Sequence, residues 1–187
     1  MKEQKMERSE AYKIAKSLIV KLSPCCERIE ISGSLRRKNP NVGDIEIIGL
    51  PKTIEAQDGF FDKKQVRNSE FISAVNNIGK IIKGSPENGR YIQIELLGGF
   101  NLDLFLPQEI DYIRMLIIRT GSKNFSQNVI ANAWRRNGWC GTEDGLRLID
   151  ECEAKNDKSG KIIKWICIAD NPTLPPVFVN EKEFFDW

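Results

Sequence analysis

The stretch Arg28-Ile-Glu-Ile-Ser-Gly-Ser-Leu-Arg-Arg-Lys-Asn-Pro-Asn-Val-Gly-Asp-Ile-Glu-Ile-Ile-Gly-Leu50 decides the fold of this chain. Near its end Ile45 and Ile47 alternate with Asp44 and Glu46, the period at which a strand sends side chains to opposite faces. The two acids share one face, their Cα atoms roughly 6.5 Å apart at a rise of about 3.3 Å per residue. Two carboxylates held side by side need a cation between them. Oxygen ligands on a rigid strand suit Mg²⁺ or Mn²⁺. For the pair alone, an edge strand with one solvated face is the simpler meaning of the same pattern, and it stays open.

Upstream, a strand-like Arg28–Ser32 runs into Gly33-Ser34 and then a short basic, helix-permissive run through Lys38. A glycine followed by a hydroxyl at such a turn lets backbone N–H groups, the Ser34 hydroxyl and an Arg converge on a phosphate. Gly-Ser is also a common turn dipeptide. Downstream, Asn101-Leu-Asp103-Leu-Phe105 alternates around a central acid, and Thr120-Gly121-Ser122 precedes a helical stretch, Asn124–Asn137.

Taken together, Gly33-Ser34, Arg37 and Gly43-Asp44-Ile-Glu46 resemble the signature of the nucleotidyltransferase superfamily. Gly-Ser-Leu-Arg-Arg followed by Gly-Asp-Ile-Glu is similar to the palm of family X DNA polymerases. The Asp103 strand and the Thr120-Gly121 turn extend the resemblance, which runs to Asn180–Trp187, similar to the start of the family's last helix. It implies an α+β fold: a nucleotidyltransferase palm, with a mixed or antiparallel sheet and flanking helices, over 1–107. A small thumb-like C-terminal subdomain over 108–187 would follow, in a minimal form similar to small viral members.

The implied activity is that of a DNA-directed DNA polymerase in DNA repair, adding nucleotides to a primer or gap 3′-OH with release of pyrophosphate. Asp44, Glu46 and Asp103 would be the catalytic residues and would hold two Mg²⁺ ions, with Mn²⁺ able to substitute. The resemblance assigns the nucleoside triphosphate to Gly33, Ser34, Arg37, Thr120, Gly121, Lys123 and Ser126. It assigns the DNA primer-template, or gapped DNA, to Arg135 and Arg136. The chain departs from the family pattern at Glu46, where Asp is usual, so a non-DNA acceptor (an RNA end, a protein or a small molecule) is the alternative. Ile118 and Arg119 stand where the family commonly has an aromatic that excludes ribonucleotides, and Ile130 offers no polar contact to a base. Nothing before residue 28 matches a helix-hairpin-helix module, so the expected DNA binding is weak and salt-sensitive. A DNA-binding or scaffold module with a decayed site is the non-enzymatic reading; three intact acids argue against it, because unpaired buried carboxylates are costly to keep without a metal.

Composition narrows the chemistry independently. The 187 residues suit one domain or two small subdomains, and the 41% hydrophobic and 29% charged fractions are those of a globular chain. The chain has no His, which excludes serine-hydrolase triads, imidazole bases and His-ligated metals. Five Cys with no C-x₂-C spacing suggest neither a disulfide framework nor a zinc site. Carboxylates, cations, hydroxyls and thiols remain, a set that favours phosphoryl transfer with hard metal ions. No apolar run approaches the roughly 18 residues of a membrane span, and the N-terminus lacks a signal-peptide core. A cytoplasmic monomer with no membrane partner is expected. Net charge is only +2, yet from Ile113 to Cys140 the chain carries Arg114, Arg119, Lys123, Arg135 and Arg136 with no acid. Such a run tracks a phosphate backbone or is simply a solvated face.

The remaining pattern predicts a helix over Ser9–Leu22 with Ser9 as N-cap, stopped at Ser23-Pro24. Residues from Leu50-Pro51 to Asn68 read as a polar loop, and Ser69 as the cap of a helix Glu70–Ile78. Strands are expected at Lys80–Lys83 and Arg90–Leu97, with Gly98-Gly99 turning the chain so that Asp103 comes beside Asp44 and Glu46. A helix Ile110–Arg119, strands Leu146–Ile149 and Lys161–Ile168, a polar loop at 151–160 and a rigid connector Asn171–Pro176 complete the forecast. Of the four tryptophans, most are expected in the core, with Trp139 the candidate for stacking on a base.

Overall fold

A computed structural model describes residues 5–58 and 62–187. Residues 1–4 of the N-terminal stretch and 59–61 of the expected loop lie outside the described residues. The fold is mixed α+β, with several separate sheets. The chain divides into two units, Met1–Gln108 and Glu109–Trp187. Among the described residues no helix is long and apolar enough to cross a membrane.

In the first unit the elements follow as β1 (Met6–Glu7), α1 (Arg8–Leu22), β2 (Cys26–Ile31), α2 (Gly33–Arg36), β3 (Asn41–Val42) and β4 (Ile45–Pro51), then β5 (Thr53–Asp58), β6 (Asp62–Arg67), α3 (Ser69–Asn76), β7 (Lys80–Lys83), β8 (Tyr91–Glu95) and β9 (Asn101–Phe105). Five of these strands form one sheet in the order β2-β4-β9-β8-β7. Here β4 and β9 run parallel while the other neighbours are antiparallel. Ile45, Ile47, Ile92, Ile94, Leu102 and Leu104 are fully buried on one face of this sheet, packed with Ala11, Ala15 and Leu22 of α1 and Phe71 and Val75 of α3. Each such side chain contributes about 1.5–3 kcal/mol by leaving water. Because side chains alternate along a strand, Glu46 and Asp103 are turned to the other face.

Several local expectations are corrected. Ser9 is not the N-cap of α1: the helix begins one residue earlier, Glu7 is its N-cap, and the Ser9 hydroxyl donates to Glu7 Oε1 at 2.8 Å. For α3 the cap is Asn68, whose side-chain oxygen accepts from Glu70 N at 2.7 Å, with Ser69 already helical. The expected loop before Asn68 contains the antiparallel ribbon β5–β6, in which Ile54 pairs Val66. Most of its residues are exposed, so it never needed the apolar face by which a strand is recognised. A short pair β1–β3, with Met6 opposite Val42, was also unforeseen.

In the second unit come α4 (Tyr112–Thr120), a π-helical turn at Phe125–Ile130, α5 (Ala131–Arg136), β10 (Trp139–Thr142), β11 (Gly145–Leu148), β12 (Cys152–Asn156), β13 (Ile162–Cys167) and α6 (Glu181–Asp186). The four strands form a sheet in the order β11-β10-β13-β12. Neither β10 nor β12 was expected; β12 lies in the stretch read as polar loop. The helix expected over Asn124–Asn137 starts with a wide π turn, where the Asn128 side-chain amide donates to Asn124 Oδ1 at 2.6 Å and the Asn132 amide to Asn128 O at 2.8 Å. At the C-terminus Asn180 caps α6 by accepting from Glu183 N at 3.0 Å. Trp134 is buried edge-on to Phe184, with ring centroids 6.1 Å apart, whereas Trp187 is 43% exposed. Trp139 is half-buried and packs against Trp187 at 5.3 Å.

Candidate active site

Parallel pairing of β4 with β9 sets Glu46 directly beside Asp103. Antiparallel pairing of β9 with β8 then sets Gln93 beside Asp103 on its other flank. Ser32, just past β2, donates its backbone N–H to Glu46 O at 2.8 Å. A row Ser32, Glu46, Asp103, Gln93 thus crosses four consecutive strands, with neighbours about 4.8 Å apart. Two acids side by side in such a row repel each other. Asp44 sits one residue ahead of β4, half-buried like Glu46 and Asp103.

The two central carboxylates meet different surroundings. Asp103 Oδ1 accepts from the Tyr91 hydroxyl at 2.9 Å and from Gln93 Nε2 at 3.0 Å, both on β8. Tyr91 is itself fixed by stacking on Phe105, with ring centroids 5.2 Å apart. Both donors use the same oxygen, so Oδ2 is left for another partner. On the opposite flank the Glu46 carboxylate lies over Gly33, where an added Cβ would meet Glu46 Oε2 at 1.7 Å. Gly33 also has φ +65°, a left-handed conformation open to glycine at little cost. The left-handed conformation favours glycine there, and the missing Cβ leaves the space in which the carboxylate lies.

Gly33 opens α2, Ser34 is its half-buried second residue, and Arg37 is its exposed C-cap. Arg37, Asp44 and Glu46 each engage a neighbour. Ser32 is fully buried, and its hydroxyl has no hydrogen-bond partner among the described residues. The structure brings Gly33, Ser34, Asp44, Glu46 and Asp103 onto adjoining elements of one unit. Sequence reasoning missed Tyr91 and Gln93, although their alternation with Ile92 and Ile94 was visible.

Among the described residues no three Cys, Asp or Glu side chains converge as a formed metal-binding group. The donor set nonetheless fits a hard divalent cation: Glu46 and Asp103 paired on adjacent parallel strands, Asp44 just ahead of β4, and one oxygen of Asp103 without a partner among the described residues.

The other expected site residues belong to the second unit. Thr120 ends α4 and Gly121 is its C-cap. A Cβ at Gly121 would meet Phe125 Cδ1 at 2.7 Å and Ser126 Oγ at 2.8 Å, so packing within this unit already demands glycine. Ser126 donates its hydroxyl to Ile118 O at 2.9 Å, tying the π turn to α4, and keeps its lone pairs available. Lys123 is exposed at the helical start just before the π turn, and Arg135 and Arg136 are exposed in the last turn of α5. Arg114 does not join them: it is 7% exposed, ion-paired to Asp111, with its guanidinium 5.8 Å from the Trp134 ring. The basic run from Ile113 to Cys140 therefore offers one cation fewer than its sequence indicates.

No family model matches the chain. A search among curated proteins finds no match either.

Proposed function

We propose that this protein is a nucleotidyltransferase, and specifically a reduced DNA polymerase of the family X type that extends a primer or gap 3′-OH in DNA repair. The observation that carries the reading is the in-register pair Glu46 and Asp103 on adjacent parallel strands, with Asp44 ahead of it and the Gly33-Ser34 turn cradling Glu46. It joins in one unit the residues whose sequence pattern resembles that family.

Two divalent cations of the Mg²⁺ class, held by Asp44, Glu46 and Asp103, would neutralise the triphosphate and acidify the acceptor hydroxyl. The chain's own groups do the rest. Tyr91 and Gln93 hold Asp103 by Oδ1, so that Oδ2 is presented to the acceptor and takes its proton. The Ser34 hydroxyl and the Arg37 guanidinium hold the leaving β- and γ-phosphates, where negative charge accumulates as the bond to the α-phosphorus breaks. In the second unit Lys123 and Ser126 offer polar contact to nucleotide, and Arg135 and Arg136 to the DNA backbone.

Extension of a labelled primer on gapped and open templates, with each dNTP and rNTP supplied separately in Mg²⁺ or Mn²⁺, tests this. Template-matched addition is expected, with ribonucleotides accepted comparably because Ile118 and Arg119 replace the usual aromatic. Binding of nucleotide and Mg²⁺ with no addition to any DNA would instead favour an RNA end, a protein or a small molecule as acceptor, the reading that Glu46 in place of Asp already admits.

A further inference from the structure

Away from the carboxylate face, α1, the free edge of β2 and α2 enclose a groove of about 410 Å³. Arg8, Tyr12 and Lys16 line it from α1 at intervals of one helical turn, so they form a stripe along the helix. Arg36 and Lys38 line it from the far side. Its one acid is Glu30, which is already in an ion pair with Arg28 at 2.8 Å. Of the lining cations Arg8, Lys16, Arg36 and Lys38, Arg36 already engages a neighbour, and Glu30 is the one lining carboxylate.

Tyr12 stands off the apolar stripe of α1, and its side chain is 41% exposed. Its ring has the Arg8 guanidinium 5.9 Å from its centroid and the Lys16 ammonium 5.6 Å from it. Arg8 Nε is buried and without a hydrogen-bond acceptor among the described residues. A buried donor in that state costs stability until an acceptor arrives. Both cations lie over the ring, so a base that stacks there displaces a cation towards its flanking phosphate, an exchange suited to unpaired nucleic acid in an open basic groove. The volume suits about one nucleotide, as expected of a groove through which a strand passes.

We infer that the α1–β2–α2 groove binds single-stranded nucleic acid, with Tyr12 as stacking platform and Arg8, Lys16, Arg36 and Lys38 as phosphate contacts. Its lining includes none of the three carboxylates of the proposed catalytic face. An acidic peptide would satisfy the cations and leave the ring unused.

The test is fluorescence anisotropy of a labelled oligothymidylate of about ten nucleotides with the full chain, across a salt series. Tyr12→Ala is expected to weaken binding about 10-fold, and Tyr12→Phe to retain it. Lys16→Glu should weaken binding and lower the slope of log affinity against log salt by about 0.7 or more. Should Tyr12→Ala melt early, the Lys16→Glu salt slope carries the test, since that side chain is exposed. Wild-type protein that binds no oligonucleotide, or variants that bind as wild type, would overturn the inference. So would displacement of the oligonucleotide by polyglutamate at equal charge, or variants that lose binding to phosphatidylserine vesicles while keeping the oligonucleotide.

Discussion

At the scale of single residues, Gly33 is the position where conformation and site meet. Alanine there must hold φ near +65° and must also push the Glu46 carboxylate aside. The conformational cost is about 1–2 kcal/mol. Gly33→Ala is therefore expected to lower the melting temperature modestly and nucleotide addition by about 100-fold, a loss of the size that follows from misplacing a catalytic group by about an ångström. Thermal melting and extension rates on the same preparation check this, and full activity in the variant would mean that the cradle does not matter. Asp44, Glu46 and Gly33-Ser34 were legible because strand alternation and turn chemistry are written in adjacent residues. Tyr91 and Gln93 were not, because they act across a strand pair whose register must first be known. That register was recoverable: Gln93 and Asp103 lie equally far from Gly98 at the centre of the hairpin.

At the scale of elements, exposed ribbons are where sequence reading fails. β5–β6 and β12 are strands held by backbone pairing with little burial, so no period of apolar residues marks them. The β12–β13 pair makes a separate prediction. Cys152 lies directly opposite Cys167, and Ile168 N donates to Glu151 O at 2.9 Å in the adjoining pair. The cysteines therefore occupy a non-hydrogen-bonded site, with Cα atoms about 4.5 Å apart, inside the range of about 4.4–6.8 Å that a disulfide spans. All five cysteines are free thiols. Burial, reinforced by the neighbouring Cys140 and Cys167, pushes the Cys152 thiol up to about 12, which leaves little thiolate at neutral pH. A mild thiol oxidant should thus form the Cys152–Cys167 disulfide slowly at neutrality and faster as pH rises towards the thiol's own range. Mass spectrometry should show loss of two hydrogens, absent in Cys167→Ser, with a raised melting temperature in the oxidised protein from closing this loop. Loss of two hydrogens that persists in Cys167→Ser would contradict this pairing and point to Cys140, whose thiol also neighbours Cys152.

At the scale of the whole molecule, the mixed α+β class was legible because strand-period and helix-period segments alternate along the chain. The strand order β2-β4-β9-β8-β7 was only partly so. The hairpin joining β8 and β9 announces itself at Gly98-Gly99, but nothing local says that the chain leaves β4, makes the β5–β6 ribbon and α3, and returns to lay β9 parallel on the far side of β4. That return creates the carboxylate pair, and the account rests on the pair being chemically active. The most direct measurement is the single-turnover rate of nucleotide addition to a primer by Asp44→Asn, Glu46→Gln and Asp103→Asn, set against Glu95→Gln, an exposed acid on β8, with melting temperatures alongside. The account predicts a fall of about 1,000-fold or more in each of the three, as when charge-stabilising groups are removed from a transition state, with wild-type rates in Glu95→Gln and all four proteins folded. Rates within about tenfold of wild type in Glu46→Gln or Asp103→Asn would contradict it.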